Sequence, residues 1–277
     1  MKQFKVGVQL YSVRNDLDKN FFGTLRKIRD MGYEYVEFAG YYGHSAEELK
    51  DMLDELGLKS ISTHSGFEAF ETEDSAPFEF LKTIGIKYIV IPWANGDNLP
   101  PNAAWTDYLG RVKKVAERAA KYGMEILYHN HDFEFIDAGG EVRYDVMMRD
   151  FKGYVNPQPD VCWINYGGYD PAAYIRKYGD RINVVHLKDF NCRNLAAGPV
   201  YALIDKDGKA VKPQSQADAG FEFAPLGRGR NDFAKIIKAC DEIGAEYLIV
   251  EQDGSPDIPT IEAIEISRRY LKDTFGI

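Results

Sequence analysis

Four residues far apart in the chain, Glu134, Asp160, His186 and Glu251, supply three carboxylates and one imidazole. Oxygen and nitrogen donors of this kind suit Mn²⁺, Mg²⁺, Co²⁺ or Zn²⁺ better than a thiolate-loving ion. Three carboxylates brought together repel and raise one another's pKa unless a dication compensates them. The alternative is that each is solvated separately or salt-bridged to Lys188 or Arg228. One divalent metal ion on Glu134, Asp160, His186 and Glu251 is therefore the expected cofactor. In His129-Asn130-His131 the two imidazoles share one face of an extended chain. They are candidate metal ligands or hydrogen-bond donors to substrate hydroxyls. Lys188 follows His186 by two residues and faces the same way, to bind a substrate oxygen or stabilise an enolate, or only to pair with Asp189 or Glu251. Gln9, Glu37 and His64 are further candidates for contact with substrate hydroxyls. Tyr11, Trp93 and Trp163 offer flat apolar faces for the C–H side of a sugar. Arg228 and Arg230 precede a helix, where an anion could bind.

These residues need elements that bring them together. Short apolar or β-branched runs at Lys5–Tyr11, Tyr35–Phe38, Lys59–His64, Tyr88–Trp93, Glu125–His131, Tyr154–Asp160, Ile182–Lys188 and Tyr247–Glu251 read as eight strands. Between them lie amphipathic stretches near Phe21–Met31, Ala46–Leu56, Pro77–Ile84, Trp105–Tyr122, Tyr144–Phe151, Ala172–Tyr178, Phe233–Ile243 and Ile258–Asp273. Gly32, Gly57, Gly123 and Gly244 stand where helices need a left-handed terminator. Ser45 with Glu48 reads as a capping box. Eight strand–helix units, with strands too apolar to have a wet face, predict an α/β fold, a (β/α)8 TIM barrel. No G-x-G-x-x-G follows the first strand, which argues against a Rossmann-like domain. The whole chain, 1–277, reads as one domain with an insertion after the seventh strand at about 190–225, including a turn at Asp205–Lys209. In a TIM barrel the C-terminal strand ends open onto the active-site mouth, and the candidate residues cluster at those ends.

Composition narrows the partners. With 34 Lys+Arg against 43 Asp+Glu the formal charge is −9, so a basic face for nucleic acid is not expected. No apolar run reaches the roughly 20 residues of a membrane span. The N-terminus reads as a first strand and not a signal peptide, although a trimmed leader would leave no trace. Three cysteines without metal-knuckle spacing fit a reducing, cytoplasmic compartment.

Together the segments Gly7–Arg14, Tyr128–Phe135, Asp160–Trp163, His186–Asp189 and Val250–Asp253 resemble the xylose isomerase-like TIM-barrel family of sugar isomerases, epimerases and related lyases (the sugar phosphate isomerase/epimerase group). The resemblance spans nearly the whole chain. It implies a divalent metal on Glu, Asp, His and Glu from strands five to eight, which matches Glu134, Asp160, His186 and Glu251 here. One departure is that many members carry the first Glu within strand five, where this chain has His129. The expected partner is a small carbohydrate, and barrels of this kind often pair as homo-oligomers through their insertions.

The chemistry implied is proton abstraction. A metal on a ketose carbonyl and its neighbouring hydroxyl acidifies the adjacent C–H. A carboxylate, Glu251 or Glu134, then takes the proton and leaves an enediolate, with Lys188 beside it. Returning the proton to the other face gives epimerisation, and to the next carbon isomerisation. Expelling a β-substituent gives elimination. The expected activity is thus a metal-dependent isomerase or epimerase on a keto-sugar or related polyol, with a lyase or dehydratase on a 3-keto-glycoside or inosose as the alternative. Endonuclease-type phosphodiester cleavage on the same barrel would require more than five histidines and a basic groove.

Overall fold

A computed structural model of the chain describes residues 3–198, 200–201, 203–204, 210–211 and 214–277. Its centre is a ring of eight parallel strands, β1 (Lys5–Gln9), β2 (Tyr35–Phe38), β3 (Lys59–His64), β4 (Tyr88–Ile91), β5 (Glu125–His129), β6 (Val155–Gln158), β7 (Val184–Leu187) and β8 (Tyr247–Val250). They pair in the order β6-β5-β4-β3-β2-β1-β8-β7. One parallel bridge between Asp160 and His186 joins β6 to β7, with the His186 N–H donating to the Pro159 carbonyl at 2.9 Å. The fold is the expected TIM barrel.

Helices Phe21–Asp30, Ala46–Leu56, Ala76–Thr83, Trp105–Lys121, Arg143–Asp150, Pro171–Lys177, Phe233–Ile243 and Thr260–Phe275 cover the strands. Ser45 and Glu48 form the anticipated capping box, and Gly57 ends that helix at φ 64°. Several strands stop one or two residues earlier than their apolar runs, because the chain turns away at the mouth. Asp160, expected as the last residue of a strand, instead caps a short helix, Val161–Tyr166. Tyr11 lies in a 3-10 turn, Leu10–Val13.

Alternation along the strands fills the barrel in layers. Tyr35, Ile61, Tyr88, Val90, Leu127, Val184, Tyr247 and Ile249 form a buried apolar cluster in its lower half. Gly7 makes room for it, since a Cβ there would lie 2.7 Å from Ile249 Cδ1 and 3.0 Å from the Tyr35 carbonyl oxygen.

Beyond β7, Asp189–Asn191 pairs antiparallel with Glu222–Ala224, and Leu203–Ile204 with Ala210–Val211. The turn anticipated at 205–209 lies outside the described residues. The loop carrying Arg228 and Arg230 wraps around a carboxylate of the chain itself. Asp189 accepts the backbone N–H groups of Phe190 (3.0 Å), Gly227 (3.1 Å), Gly229 (2.9 Å) and Asn231 (3.1 Å). A Cβ on Gly229 would stand 2.3 Å from Asp189 Oδ1, so this close approach requires glycine.

Candidate active site

Above the apolar layer the same strands carry polar groups. Two positions beyond Leu127, Val184 and Ile249 come His129, His186 and Glu251, and Asp160 follows Gln158 of β6 by two. One ligand atom from each of His129, Asp160, His186 and Glu251 lies within 4.8 Å of every other, and all four residues are buried. His186 Nδ1 is 3.0 Å from Glu251 Oε2, and His129 Nε2 is 3.7 Å from Asp160 Oδ2 and 3.9 Å from Glu251 Oε2. A tetrahedral ion with bonds of about 2.1 Å has ligands about 3.4 Å apart, which this spacing brackets.

Asp160 divides its carboxylate between two tasks. Oδ1 accepts the N–H groups of Cys162 (2.8 Å) and Trp163 (3.3 Å) and so caps the following helix. Oδ2 is buried and accepts no hydrogen bond. A buried carboxylate oxygen without a donor is costly, and a cation answers that cost. The donor set, two imidazoles and two carboxylates, fits a divalent ion.

Beneath the group lies a floor that orients it. Glu37 is fully buried. Its Oε1 accepts from Gln9 Nε2 at 2.7 Å and from His186 Nε2 at 2.6 Å, with His64 Nε2 at 2.9 Å. Its Oε2 accepts from Gln158 Nε2 at 2.6 Å and from the Ser62 hydroxyl. An imidazole that gives one N–H to a carboxylate presents its other nitrogen outward, here His186 Nδ1. Gln158 Oε1 faces His129 Nδ1 at 3.2 Å, which turns His129 Nε2 toward Asp160 in the same way. Burial opposes charge on His186, but Glu37 and Glu251, one at each ring nitrogen, outweigh it and raise its pKa to about 10. Burial also works against ionisation of Glu37, yet His64 and His186 hold its carboxyl well below the ordinary range. The sequence reading of Gln9 and Glu37 as substrate contacts is corrected by the structure. Both are buried in the floor with their polar atoms engaged, and neither lines the cavity.

The second correction concerns Glu134. It is absent from the four-donor group, where His129 stands instead. After His129 the chain leaves the strand and enters a 3-10 turn, Asp132–Glu134. The Glu134 carboxylate folds back to accept the Tyr128 hydroxyl at 2.6 Å and the His131 backbone N–H at 2.8 Å. Burial outweighs both donors and pushes its pKa up to about 8.

A cavity of about 1150 Å³ opens over the group. His64, Trp93, His129, His131, Trp163, Lys188, Glu251 and Tyr11 line it. His131 Nδ1 and Trp163 Nε1 are buried without hydrogen-bond partners. Burial, helped by the Lys188 ammonium, keeps His131 neutral. Sequence reasoning missed Asp253, also in the cavity wall, whose Oδ1 has no partner and whose Oδ2 lies 2.7 Å from Lys188 Nζ. Its position two residues after Glu251 was the available signal. Gln158, two before Asp160, was missed in the same way, as was Tyr201, whose ring centroid is 3.6 Å from that of His131.

Comparison with known proteins agrees with the barrel fold. The inosose dehydratase of Clostridium beijerinckii is 26% identical over 281 residues, covering 94% of this chain and 91% of the relative. A sugar phosphate isomerase/epimerase from Parabacteroides distasonis ATCC 8503 superposes with a TM-score of 0.75 at 24% identity, over 99% of each chain. The IolI protein, solved with a bound zinc atom, superposes with a TM-score of 0.69 at 16% identity, over 98% of this chain and 97% of that one. These two likenesses are of fold. The sequence profile described as xylose isomerase-like TIM barrel matches residues 25–274, and the chain belongs to that family.

Proposed function

We propose that this chain is a divalent-metal-dependent lyase that removes the proton beside the carbonyl of a keto-sugar or keto-polyol and eliminates a β-oxygen substituent. The observation that carries the reading is the asymmetry of the acid–base groups. His129 stands in the donor group opposite Glu251, so the two carboxylates that line the cavity, Glu251 and Asp253, both lie against one ammonium, Lys188, and the remaining proton-transfer group is a neutral imidazole, His131. Epimerisation needs a proton-transfer group on each face of the carbon, whereas elimination needs one base and one acid. The inosose dehydratase relatives, aligned over nearly the whole chain, support the same reading.

His129, Asp160, His186 and Glu251 would hold the ion, and a bound ion supplies Lewis acidity to the carbonyl oxygen. Glu251 accepts the carbon-bound proton. Burial opposes its charge, but Lys188 and His186 keep it ionised, well below the ordinary carboxyl range. The electron pair left on carbon forms the new double bond as the β C–O bond breaks, and Lys188 gives a proton to the departing oxygen. His131 Nδ1 and Trp163 Nε1, otherwise unpartnered, hold substrate hydroxyls, with His64 beside them. Tyr11 and Trp93 flank the ring.

The test is incubation of the Mn²⁺-loaded protein in D₂O with an inosose and with a methyl 3-keto-glycoside. Release of water or methanol with formation of an unsaturated ketone is expected. Deuterium uptake with an epimer and no release would replace elimination by epimerisation, the first expectation from the sequence. No exchange on either compound would remove both.

A further inference from the structure

We infer that Lys188 is the resident cation of the donor group, an ammonium that occupies the carboxylate oxygens a metal ion needs and competes with the ion for them. This rests on the metal-site reading above.

The Lys188 side chain is 1% exposed, and its Nζ lies 2.9 Å from Glu251 Oε2 and 3.4 Å from Asp160 Oδ2. These are the two oxygens that face the imidazoles of the four-donor group. Glu251 Oε2 is the one 3.0 Å from His186 Nδ1, and Asp160 Oδ2 is the one without a hydrogen-bond donor. A dication among these donors meets an ammonium a few ångströms away, in surroundings too buried for water to screen the repulsion. Glu251 and Asp160 cannot serve both cations fully. Asp253, 2.7 Å from the ammonium and outside the four-donor group, is the carboxylate that Lys188 keeps when the ion enters. The rings of Trp163 and Phe223, at 5.2 Å and 5.5 Å from Nζ, hold the ammonium at this edge by cation–π attraction. In the metal-free chain the lysine thus compensates carboxylates that would otherwise repel one another. In the loaded chain the pair with Asp253 remains, beside the cavity where a proton donor is required.

The experiment titrates wild type, Lys188→Met, Asp253→Asn and Arg14→Gln with Mn²⁺, following the free ion by electron paramagnetic resonance, and melts each protein in EDTA. Lys188→Met should bind Mn²⁺ about tenfold more tightly or better. Its metal-free form should melt below wild type and recover on loading. Asp253→Asn should bind more weakly, because the ammonium then rests wholly on Glu251 and Asp160. Arg14 lines the same cavity, but among the described residues it donates to the backbone carbonyls of Tyr11 and Asp253 and lies over the Tyr11 ring, away from the donor oxygens. Arg14→Gln should therefore stay within about twofold of wild type, a general field effect being small at that range. Unchanged or weaker binding by Lys188→Met, or an equal gain in Arg14→Gln, overturns the inference and leaves the metal site standing. Absence of Mn²⁺ binding by every protein, wild type included, overturns both. Should Lys188→Met fail to fold, Asp253→Asn decides alone: weakened binding supports the competition, and unchanged binding ends it.

Discussion

The lower and upper halves of the barrel are built by the same strands and differ in kind. Leu127, Val184, Ile249 and Tyr35 belong to the apolar layer. Two residues further along, His129, His186, Glu251 and Glu37 belong to the polar one. In the lower layer, side chains of suitable volume gain stability by excluding water, and neighbours can be exchanged at moderate cost. In the upper layer most buried polar atoms have a named partner; of those without one, Asp160 Oδ2 belongs to the donor group, and His131 Nδ1, Trp163 Nε1 and Asp253 Oδ1 belong to residues that line the cavity. Packing tolerates approximation, whereas a buried charged network loses far more when one member goes.

The largest effect should come from the upper layer. Glu251→Gln or Asp160→Ala is expected to abolish metal-dependent proton exchange beside a keto-sugar carbonyl, by at least about a thousandfold, measured by deuterium uptake. Full exchange in both variants would erase the functional difference between the layers. In the lower layer, Leu127→Ala or Ile249→Ala should destabilise the fold by about 2–5 kcal/mol in denaturant melts. Exchange per folded molecule should stay near wild type in these variants, and a comparable loss of exchange would mean that the layers are not separable.

A more gradual effect, spread over several pH units, concerns Glu134, outside both layers. Its pKa is about 8 in the fold against 4.5 for an ordinary glutamate. Below the lower value the carboxyl is protonated in both folded and unfolded chains and costs nothing. As pH rises, only the unfolded chain ionises, so stability falls, and the fall ends near pH 8. The slope is at most about 1.4 kcal/mol per pH unit. Glu134→Gln should flatten this part of the stability–pH curve, and an unaltered slope would show that the carboxyl is ionised in the fold.

Much of this was legible in the sequence, for reasons that also explain the misses. Strand and helix periods fix the barrel, and a barrel brings strand ends together, so the approach of Asp160, His186, Glu251 and Lys188 to one another was legible in the chain. Glu134 was misplaced because spacing along a chain does not reveal where a strand stops. Once the chain turns after His129, the side chain of Glu134 is nearer its own backbone than the centre of the mouth. Gln9 and Glu37 point inward as expected, but depth inside the barrel is not written in alternation, and both ended in the floor. Asp253 was missed because its strand was read as ending at Glu251.

The bridge that closes the barrel has a bearing on how these variants are read. Asp160 and His186 are the two sides of the only β-bridge between β6 and β7 among the described residues, and Asp160 also starts the next helix. The bridge itself is made by the backbone and survives a change of side chain, whereas the helix start depends on the Asp160 carboxylate. Removing the Asp160 side chain therefore sacrifices a helix start worth about 1 kcal/mol along with a donor. The Glu251 side chain starts no helix, so its replacement reports more cleanly on the chemistry.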